Sequence, residues 1–376
     1  MPELVVITEQ LLAEVPGGTG RYTRELTLAL AASAPDGWTV RGAIARHADP
    51  SPAVLPGMDA PRVLPLGRRA LAAAWEHGSF PWPGGDSVHA PTPLAPAAPR
   101  HGRSLVVTVH DTVPWTHPQT LTRRGARWHR RVIGRAVRTA SAIVVPTAAV
   151  AAELNRHAPG MVRVHPIGHG VTPALAQPPD ELAAKRVRER FRLPDRYFLA
   201  VGTIEPRKGL DVLIEALAMP TAPELPLVVV GRTGWGGVDL AAVAGRHGLA
   251  QQRLRVLGHC TDAELAVLLH GAAALVTPSL AEGFGLPLLE AMAAGVPIVH
   301  SDAPALVEVA GKTGLQAARG DPVSLLRALR KVINDPVATK ARVEAARARA
   351  ARFTWERAAR AVWQVHLGLY QANRIG

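Results

Sequence analysis

Short apolar runs alternate with longer amphipathic stretches along the chain. This alternation is typical of α/β folds, in which buried parallel strands are joined by helices. In the first half, strands are predicted at residues 4–7, 39–45, 87–89, 105–109, 142–145 and 162–164. In the second half, strands are predicted at residues 197–201, 227–230, 254–257, 273–277 and 297–300. Each half therefore predicts a Rossmann-like sheet with helices between its strands.

A proline-rich segment separates the two halves. Residues 171–180 include three prolines and predict a linker between two domains, one over residues 1–176 and one over 177–352. The end of the chain, 353–376, predicts a separate helix, because Thr354 can cap it and apolar residues follow at helical spacing. His366 falls on the apolar face and is interpreted as a packed residue rather than a ligand.

Two acids flank a glycine turn in the second half. An apolar run ends at Pro278-Ser279, as a buried strand ends in a loop, and Pro287 suits the first turn of a following helix. Glu282 would then precede the helix and Glu290 would lie one or two turns inside it. Carboxylates accept hydrogen bonds from sugar hydroxyls, and a helix N-terminus attracts anions. The block predicts a pocket for a ligand with hydroxyls and phosphates.

Adjacent cations follow another predicted strand. Arg207 and Lys208 come after a Gly-Thr turn and before a helix with apolar periodicity. An arginine can bind phosphate oxygens through two parallel hydrogen bonds, so the pair predicts a diphosphate site. A solvated basic surface is the alternative interpretation.

The first half has two candidate motifs at strand ends. His110 and Asp111 end a predicted strand, where open α/β sheets place their chemistry, although a lone histidine is more often structural. Gly17, Gly18 and Gly20 follow the first strand and open a helix whose N-terminus can face a diphosphate. A plain glycine turn is the alternative. A dinucleotide fingerprint is not predicted, because the loop is long and no acid ends the second strand.

Composition limits the class of protein. A chain of 376 residues with 48% hydrophobic and 19% charged residues is expected to form globular domains. The single cysteine, Cys260, excludes an intramolecular disulfide framework, and no cluster of residues has the spacing of a metal site. No apolar run is long enough to span a bilayer. We expect a cytoplasmic protein that is soluble or peripheral to a membrane.

The strong positive charge of the chain predicts an anionic binding partner. A net charge of +13 is compatible with nucleic acid, anionic lipid or a phosphorylated substrate. Arginines over Arg123–Arg138 occupy one arc of a predicted helix, which is either a solvated face or a docking surface for an anionic membrane. Nucleic acid is disfavoured, because aromatic residues make up only 4% and no binding motif is present.

These motifs together resemble a known family. The segment EGFGLPLLEAMAAGVPIV at 282–299 resembles the donor site of retaining GT-B glycosyltransferases of family 4. The segments GGTGRYTREL at 17–26, VVTVHD at 106–111 and PRKG at 206–209 are similar to further stretches of that family. The resemblance covers essentially the whole chain. It departs at Gly168, where the family often has proline.

The resemblance implies a fold and an activity. It implies two Rossmann-like domains facing across a cleft, with an N-terminal acceptor domain, a C-terminal donor domain and a last helix crossing back to the first domain. It also implies transfer of a hexose, mannose or a related sugar, to a glycan or lipid-linked acceptor in cell envelope polysaccharide biosynthesis. The nucleotide-sugar donor is expected to be GDP-linked, with UDP- and dTDP-sugars left open, and no metal is expected. A sugar-nucleotide epimerase of the same fold is the alternative.

The resemblance also assigns roles to residues. Residues with catalytic roles are His110, Arg207, Lys208 and Glu282. Asp111 is assigned to the acceptor side. The residues expected to bind the donor are Gly17, Gly18, Gly20, Thr203, Gly231, Gly283, Phe284, Gly285, Leu286 and Glu290.

Overall fold

The computed structural model describes residues 1–375, with Ile375 described in its backbone alone. The residues group into two compact units, called here the first and the second domain. The first domain comprises Met1–Pro118, Arg123–Gly170 and the chain from Thr354, and the second comprises Gln119–Thr122 and Val171–Phe353. The domain limits predicted from the sequence, 1–176, 177–352 and 353–376, stay predictions. A grouping of residues by their contacts does not test where an independently folding domain ends.

The first domain is built on a seven-stranded parallel sheet. In chain order its strands are β1 (Glu3–Ile7), β2 (Thr39–Arg46), β3 (Arg62–Gly67), β4 (Ser87–Ala90), β5 (Ser104–Thr108), β6 (Ala142–Val145) and β7 (Val164–Pro166). They lie side by side in the order β3-β2-β1-β4-β5-β6-β7. The central strands are continuous apolar runs because both faces of a parallel sheet are covered.

The strand β3 was not predicted from the sequence. It contains Pro65, which lacks a backbone N–H and is therefore confined to sheet edges. The structure places β3 at the edge of the sheet, paired only with β2, and Val63 on it is 51% exposed. The apolar pattern of this segment is therefore weak because the strand is only partly buried.

The second domain is built on a six-stranded parallel sheet. Its strands are β8 (Phe198–Val201), β9 (Leu227–Val230), β10 (Leu254–Gly258), β11 (Ala274–Thr277), β12 (Ile298–Ser301) and β13 (Leu315–Ala317). Their order is β10-β9-β8-β11-β12-β13. The prediction of two Rossmann-like sheets is confirmed. Strand β13 was missed because three residues at an edge give no recognisable period.

Helices join the strands of both sheets. Those of the first domain are α1 (Gly17–Ala32), α2 (Arg68–His77), α3 (Val113–Thr116), α4 (Arg123–Thr139), α5 (Ala148–His157) and α15 (Trp355–Ile375). Those of the second are α6 (Pro173–Ala176), α7 (Glu181–Arg190), α8 (Leu210–Ala218), α9 (Leu240–His247), α10 (Asp262–His270), α11 (Leu286–Ala294), α12 (Pro304–Ala310), α13 (Pro322–Asn334) and α14 (Pro336–Ala350). Helix α6 lies inside the segment predicted as a linker and packs against α10 and α11.

The last helix packs on the first domain, as predicted. The Thr354 hydroxyl accepts a hydrogen bond from the backbone N–H of Arg357 at 3.1 Å and so caps α15. The helix contacts α1 and β5, and Trp363 donates from Nε1 to the carbonyl of Leu30 at 3.1 Å. Burial of its apolar face attaches the end of the chain to the domain in which the chain begins.

Candidate functional site

The second sheet brings two loops together at its carboxyl edge. Its strand order runs outward in both directions from the neighbouring strands β8 and β11. In open α/β sheets, ligands bind outside the carboxyl ends of the strands at which the order reverses. Arg207 and Lys208 follow β8, and Glu282 follows β11. The fold therefore places the predicted cations and the predicted acid on adjacent loops.

Glu282 accepts hydrogen bonds from both loops. Lys208 Nζ and Ser279 Oγ donate to its Oε1 at 2.6 and 2.8 Å, and an Arg207 guanidinium nitrogen donates to its Oε2 at 3.2 Å. The Glu282 side chain is 9% exposed and the Lys208 side chain is 15% exposed. Three of the residues assigned catalytic roles thus form one buried ionic cluster, although the roles themselves stay predictions.

The cluster fixes the charge of the acid. Burial alone would raise the pKa of Glu282, but the charges of Lys208 and Arg207 and the hydrogen bonds from Lys208 and Ser279 lower it to about 2. Burial lowers the pKa of Lys208 from its ordinary value, and the negative charge of Glu282 opposes that lowering. At neutral pH the carboxylate is therefore ionised and lies between two cationic side chains.

Three residues that support the cluster, Glu205, Ser279 and Leu280, were not predicted as site residues. Glu205 accepts from Arg207 Nε at 2.8 Å, which directs the guanidinium toward Glu282. The backbone N–H of Leu280 donates to the carbonyl of Arg207 at 2.8 Å and joins the two loops. The signals in the sequence were an acid two residues before Arg207 and, in Ser279, a hydroxyl three residues before Glu282.

Two of the predicted donor glycines occupy positions where a side chain does not fit. Gly285 precedes α11 with a φ of 90°, and a Cβ there would lie 2.4 Å from Leu306 Cδ2. A Cβ on Gly231, at the end of β9, would lie 1.9 Å from the carbonyl oxygen of Gly202. Both glycines therefore allow loops at the carboxyl edge to pack closely.

The remaining donor residues of the second domain lie on the same loops and on α11: Thr203, Gly283, Phe284, Leu286 and Glu290. Glu290 is in the second turn of α11 and is 2% exposed, as its spacing from Glu282 predicted. Phe284 is also buried, with its ring centroid 5.9 Å from that of Phe353. Whether these residues contact a donor stays a prediction.

His110 and Asp111 lie at the carboxyl edge of the first sheet, after β5. The Nε2 of His110 lies 2.8 Å from the carbonyl oxygen of Pro91, which can only accept, so Nε2 carries the proton. Burial lowers the pKa of His110, against the opposing effects of the Pro91 carbonyl and the Asp111 charge. A neutral ring with its proton on Nε2 leaves Nδ1 as a hydrogen-bond acceptor.

A chain of buried side chains underlies His110. Tyr22 packs edge-on against the His110 ring with centroids 4.7 Å apart, and its hydroxyl lies 3.1 Å from Thr108 Oγ1. Thr108 Oγ1 lies 3.2 Å from His89 Nε2, and His89 Nδ1 lies 3.2 Å from Nε2 of His366 on α15. Burial is the main cause that lowers the pKa of His89 to about 3. His366 is therefore a packed residue, as interpreted from the sequence.

The glycine loop of the first domain begins a helix, as predicted. Helix α1 starts at Gly17, which has a φ of 59°, and its first turn has neither an acid nor a side-chain cap. Gly17 and Gly18 are exposed, whereas a Cβ on Gly20 would lie 2.3 Å from Pro16 Cβ. Uncapped N–H groups suit an anionic ligand, and contact with the donor diphosphate stays a prediction.

Neither a cluster of metal ligands nor a membrane-spanning helix is found among the described residues. Within residues 1–375, no three side chains of histidine, cysteine, aspartate or glutamate are grouped as metal ligands would be. None of the helices of that range has the length and hydropathy of a membrane-spanning segment. Metal independence stays a prediction for experiment.

Two family profiles match successive parts of the chain. The profile described as Glycosyltransferase Family 4 matches residues 16–175. The profile described as Glycosyl transferases group 1 matches residues 183–349. Both sheets and the loops described above lie largely within these matches.

Curated relatives show moderate identity over most of the chain. O-antigen chain mannosyltransferase B from Escherichia coli is 30% identical over 267 residues, covering 69% of this chain and 68% of that protein. Glycogen synthase from Mycobacterium tuberculosis is 33% identical over 276 residues, covering 72% of this chain and 64% of that protein. The matched segments thus span about two thirds of each relative.

Solved structures share the fold over nearly the full length. Sucrose-phosphate synthase from Thermosynechococcus elongatus superposes with a TM-score of 0.79 at 22% identity, covering 99% of this chain and 100% of that one. HepE from Anabaena in complex with UDP-glucose has a TM-score of 0.70 at 20% identity, covering 99% of both chains. With its two parallel sheets and returning helix, the chain belongs to the GT-B glycosyltransferases of group 1, family 4, which transfer a sugar from a nucleotide sugar.

Proposed function

We propose that this glycosyltransferase moves a hexose, mannose or a related sugar, with retention, from a GDP-linked donor to a glycan or lipid-linked acceptor of the cell envelope. Similarity to the O-antigen mannosyltransferase supports mannose and an envelope glycan. The HepE complex with UDP-glucose makes a UDP-linked donor the competing choice. The donor base is therefore the first property to measure.

The observation that carries this proposal is the ionic cluster of Glu282, Arg207 and Lys208. Breaking the anomeric C–O bond leaves additional negative charge on the β-phosphate of the donor. Two cations at the carboxyl edge, already oriented by Glu205 and Glu282, can stabilise that charge without reorganising. Preorganised contacts of this kind contribute about 3–4 kcal/mol each to lowering a barrier.

Two acids, Glu282 of the ionic cluster and Glu290 of α11, complete the proposed donor site. Glu282 has carboxylate oxygens that can accept hydrogen bonds from the transferred sugar, and Glu290 would bind the ribose diol. Retention follows from attack of the acceptor hydroxyl on the face from which the phosphate departs, and the hydroxyl proton passes to the departing phosphate. This route requires no enzymic nucleophile.

A donor screen tests the proposal directly. Calorimetry with GDP-mannose, UDP-glucose and a dTDP-hexose identifies the base, and product analysis with and without a glycan acceptor separates transfer from hydrolysis or epimerisation. Glu282→Ala and Glu290→Ala should each lower transfer by about a hundredfold or more while the fold is kept. Glu344→Ala, at an exposed position of the same domain, is the matched control. Near-normal transfer by a folded Glu282 or Glu290 variant contradicts the donor-site assignment.

We also propose that α4 docks on an anionic membrane at the inner face. The residues that helix α4 buries are Ala126, Val132, Ile133, Ala136 and Val137. Its basic face is not uniform, because Arg131 forms an ion pair with Glu76 and Arg135 hydrogen-bonds to the carbonyl of that residue. Arg130 is exposed but donates from Nε to the carbonyl of Pro114 at 2.6 Å. The other exposed arginines, which are available to lipid headgroups, are Arg123, Arg124, Arg127 and Arg138.

Vesicle co-sedimentation tests this docking. Reversing the charge of Arg123, Arg124 and Arg127 should abolish binding to phosphatidylserine vesicles, since each basic residue contributes about 1 kcal/mol near the surface. Reversal of Lys185, Arg186 and Lys340, which are exposed in the second domain, changes net charge equally and should leave binding intact. Equal loss in both triple variants, or no binding by the wild-type protein, contradicts a specific docking face.

A further inference from the structure

A cavity of the first domain lies at the carboxyl edge of its sheet. Its volume is about 470 Å³, which lies within the range of small-molecule sites. Its lining comes from segments that follow β1, β4 and β5 and from helices, mainly α2 and α4. His110 and Asp111 are in its wall, so the cavity opens beside the residues that the motif assigned to the acceptor side.

Two polar side chains of the cavity have hydrogen-bonding capacity to spare. Asp111 Oδ1 accepts from the backbone N–H of Val113 at 3.1 Å, and Oδ2 has no hydrogen bond from the residues that the structure describes. Arg68 approaches Glu9 through Nε at 3.7 Å, while its terminal amino groups donate to none of the described residues. The cavity therefore presents a carboxylate acceptor and guanidinium donors to a ligand.

Glu9 supports Arg68 rather than binding a ligand. It is 2% exposed, and its carboxylate accepts from the backbone N–H of Ala45 and lies against His47 Nε2, each at 2.8 Å. A buried acid with both oxygens engaged is held in place, and its charge attracts the guanidinium of Arg68. Glu9 thereby positions Arg68 at the cavity.

One wall of the cavity is apolar and includes a tryptophan. Trp128, on α4, is half-buried, packs against the core of the domain and lines the cavity together with Leu94 and Ile133. A pyranose has an apolar C–H face and an edge of hydroxyl groups. A flat aromatic side chain matches that face, while carboxylate and guanidinium groups match the edge.

The charges of the cavity favour an uncharged ligand. The lining includes two carboxylates, Glu9 and Asp111, and one guanidinium, Arg68, so negative charges outnumber positive ones. Burial lowers the pKa of His110 and so favours its neutral form. An added anionic group would meet an excess of negative charge in a partly desolvated space, which is unfavourable.

We propose that this cavity binds an uncharged pyranose of the acceptor, with its apolar face on Trp128 and its hydroxyls on Asp111 and Arg68. The inference rests on the proposed function, since it treats the cavity as the acceptor subsite. It adds the chemical class of the acceptor's sugar unit, an uncharged pyranose, and the protein side chains that select this sugar.

Saturation-transfer NMR without any donor tests the cavity by itself. The probes are methyl α-mannopyranoside, methyl β-glucopyranoside and methyl β-glucuronide, whose ring differs from that of the glucoside by one carboxylate. We expect the neutral glycosides to bind the wild-type protein more tightly than the glucuronide. Trp128→Ala and Asp111→Asn should each weaken binding of the neutral glycosides by about tenfold, and Trp128→Phe should keep most of it.

The matched control is Trp115→Ala. Trp115 is half-buried and packs against the same core but does not line the cavity, so its loss should leave glycoside affinity unchanged. Tighter binding of the glucuronide, no binding of either neutral glycoside, or equal loss in the Trp115 and Trp128 variants overturns the inference. Nucleotide-sugar turnover is measured separately, so inactive donor chemistry with intact glycoside binding contradicts the proposed function and leaves the cavity assignment standing.

Discussion

Replacing Glu282 by glutamine is the sharpest perturbation of the ionic cluster. The amide keeps the size of the side chain and can still accept from Ser279, but it removes the negative charge between Lys208 and Arg207. Two cations would then be left in a largely buried position without that counter-charge. Removing one partner of a buried ion pair is strongly destabilising for this reason. We therefore expect a less stable protein with normal secondary structure.

The expected magnitude follows from the pKa of Glu282. A lowering from 4.5 to about 2 corresponds to about 3 kcal/mol of folding free energy. Because the pKa is lower in the folded state, this stabilisation is complete above pH 4.5 and is lost as pH falls through about 2. The difference between wild type and Glu282→Gln should therefore be largest near neutral pH and shrink across that acidic window.

The assay is thermal and urea unfolding of both proteins at several pH values. At neutral pH, Glu282→Gln should lower the transition of the second domain by about 10 °C. The exposed control Glu344→Gln should change stability by less than about 0.5 kcal/mol. In the variant, Lys208 and Arg207 lack the negative charge of Glu282. If the donor diphosphate contacts these cations, GDP or UDP should therefore stabilise Glu282→Gln more than wild type. Equal stability of wild type and variant at neutral pH refutes the reasoning.

Three further outcomes are expected. Lys208→Ala should reduce kcat more than donor affinity, because phosphate charge is greatest at the transition state, and an effect on KM alone would indicate uniform binding. Transfer should survive excess EDTA, and loss that Mg²⁺ or Mn²⁺ restores would contradict metal independence. Tyr22→Phe should cost about 1 kcal/mol in urea unfolding by removing the buried hydrogen bond between the Tyr22 hydroxyl and Thr108, yet keep kcat, whereas Tyr22→Ala should also lower kcat by releasing His110.

The sequence was most informative where one short segment determines both conformation and chemistry. The buried central strands are continuous apolar runs, so their positions followed from periodicity alone. Glu282 and Glu290 lie at a loop and in the second turn of α11 because Gly285 and Pro287 determine where that helix begins. Edge strand β3 was missed because partial burial weakens that apolar signal, and β13 was missed because three residues are too few to show a period.

Long-range partners could not be predicted from local patterns. The hydrogen bond between Ser87 and His366 joins residues 279 positions apart, and nothing near either residue indicates the other. The cavity of the first domain is likewise lined by segments after three strands and by several helices, so its composition depends on the completed fold. Trp128 illustrates the point, since it lies among arginines in the sequence and nothing near it indicates that its ring lines the cavity.

The same topology serves different chemistry in the two domains. Both sheets reverse their strand order at neighbouring strands, β1 and β4 in the first and β8 and β11 in the second. In the second domain, buried cations follow the reversal and suit a diphosphate. In the first domain, segments after β1, β4 and β5 contribute carboxylates and a neutral histidine to a cavity with an aromatic wall. The side chains that follow the strands, rather than the sheet itself, therefore distinguish the two edges chemically.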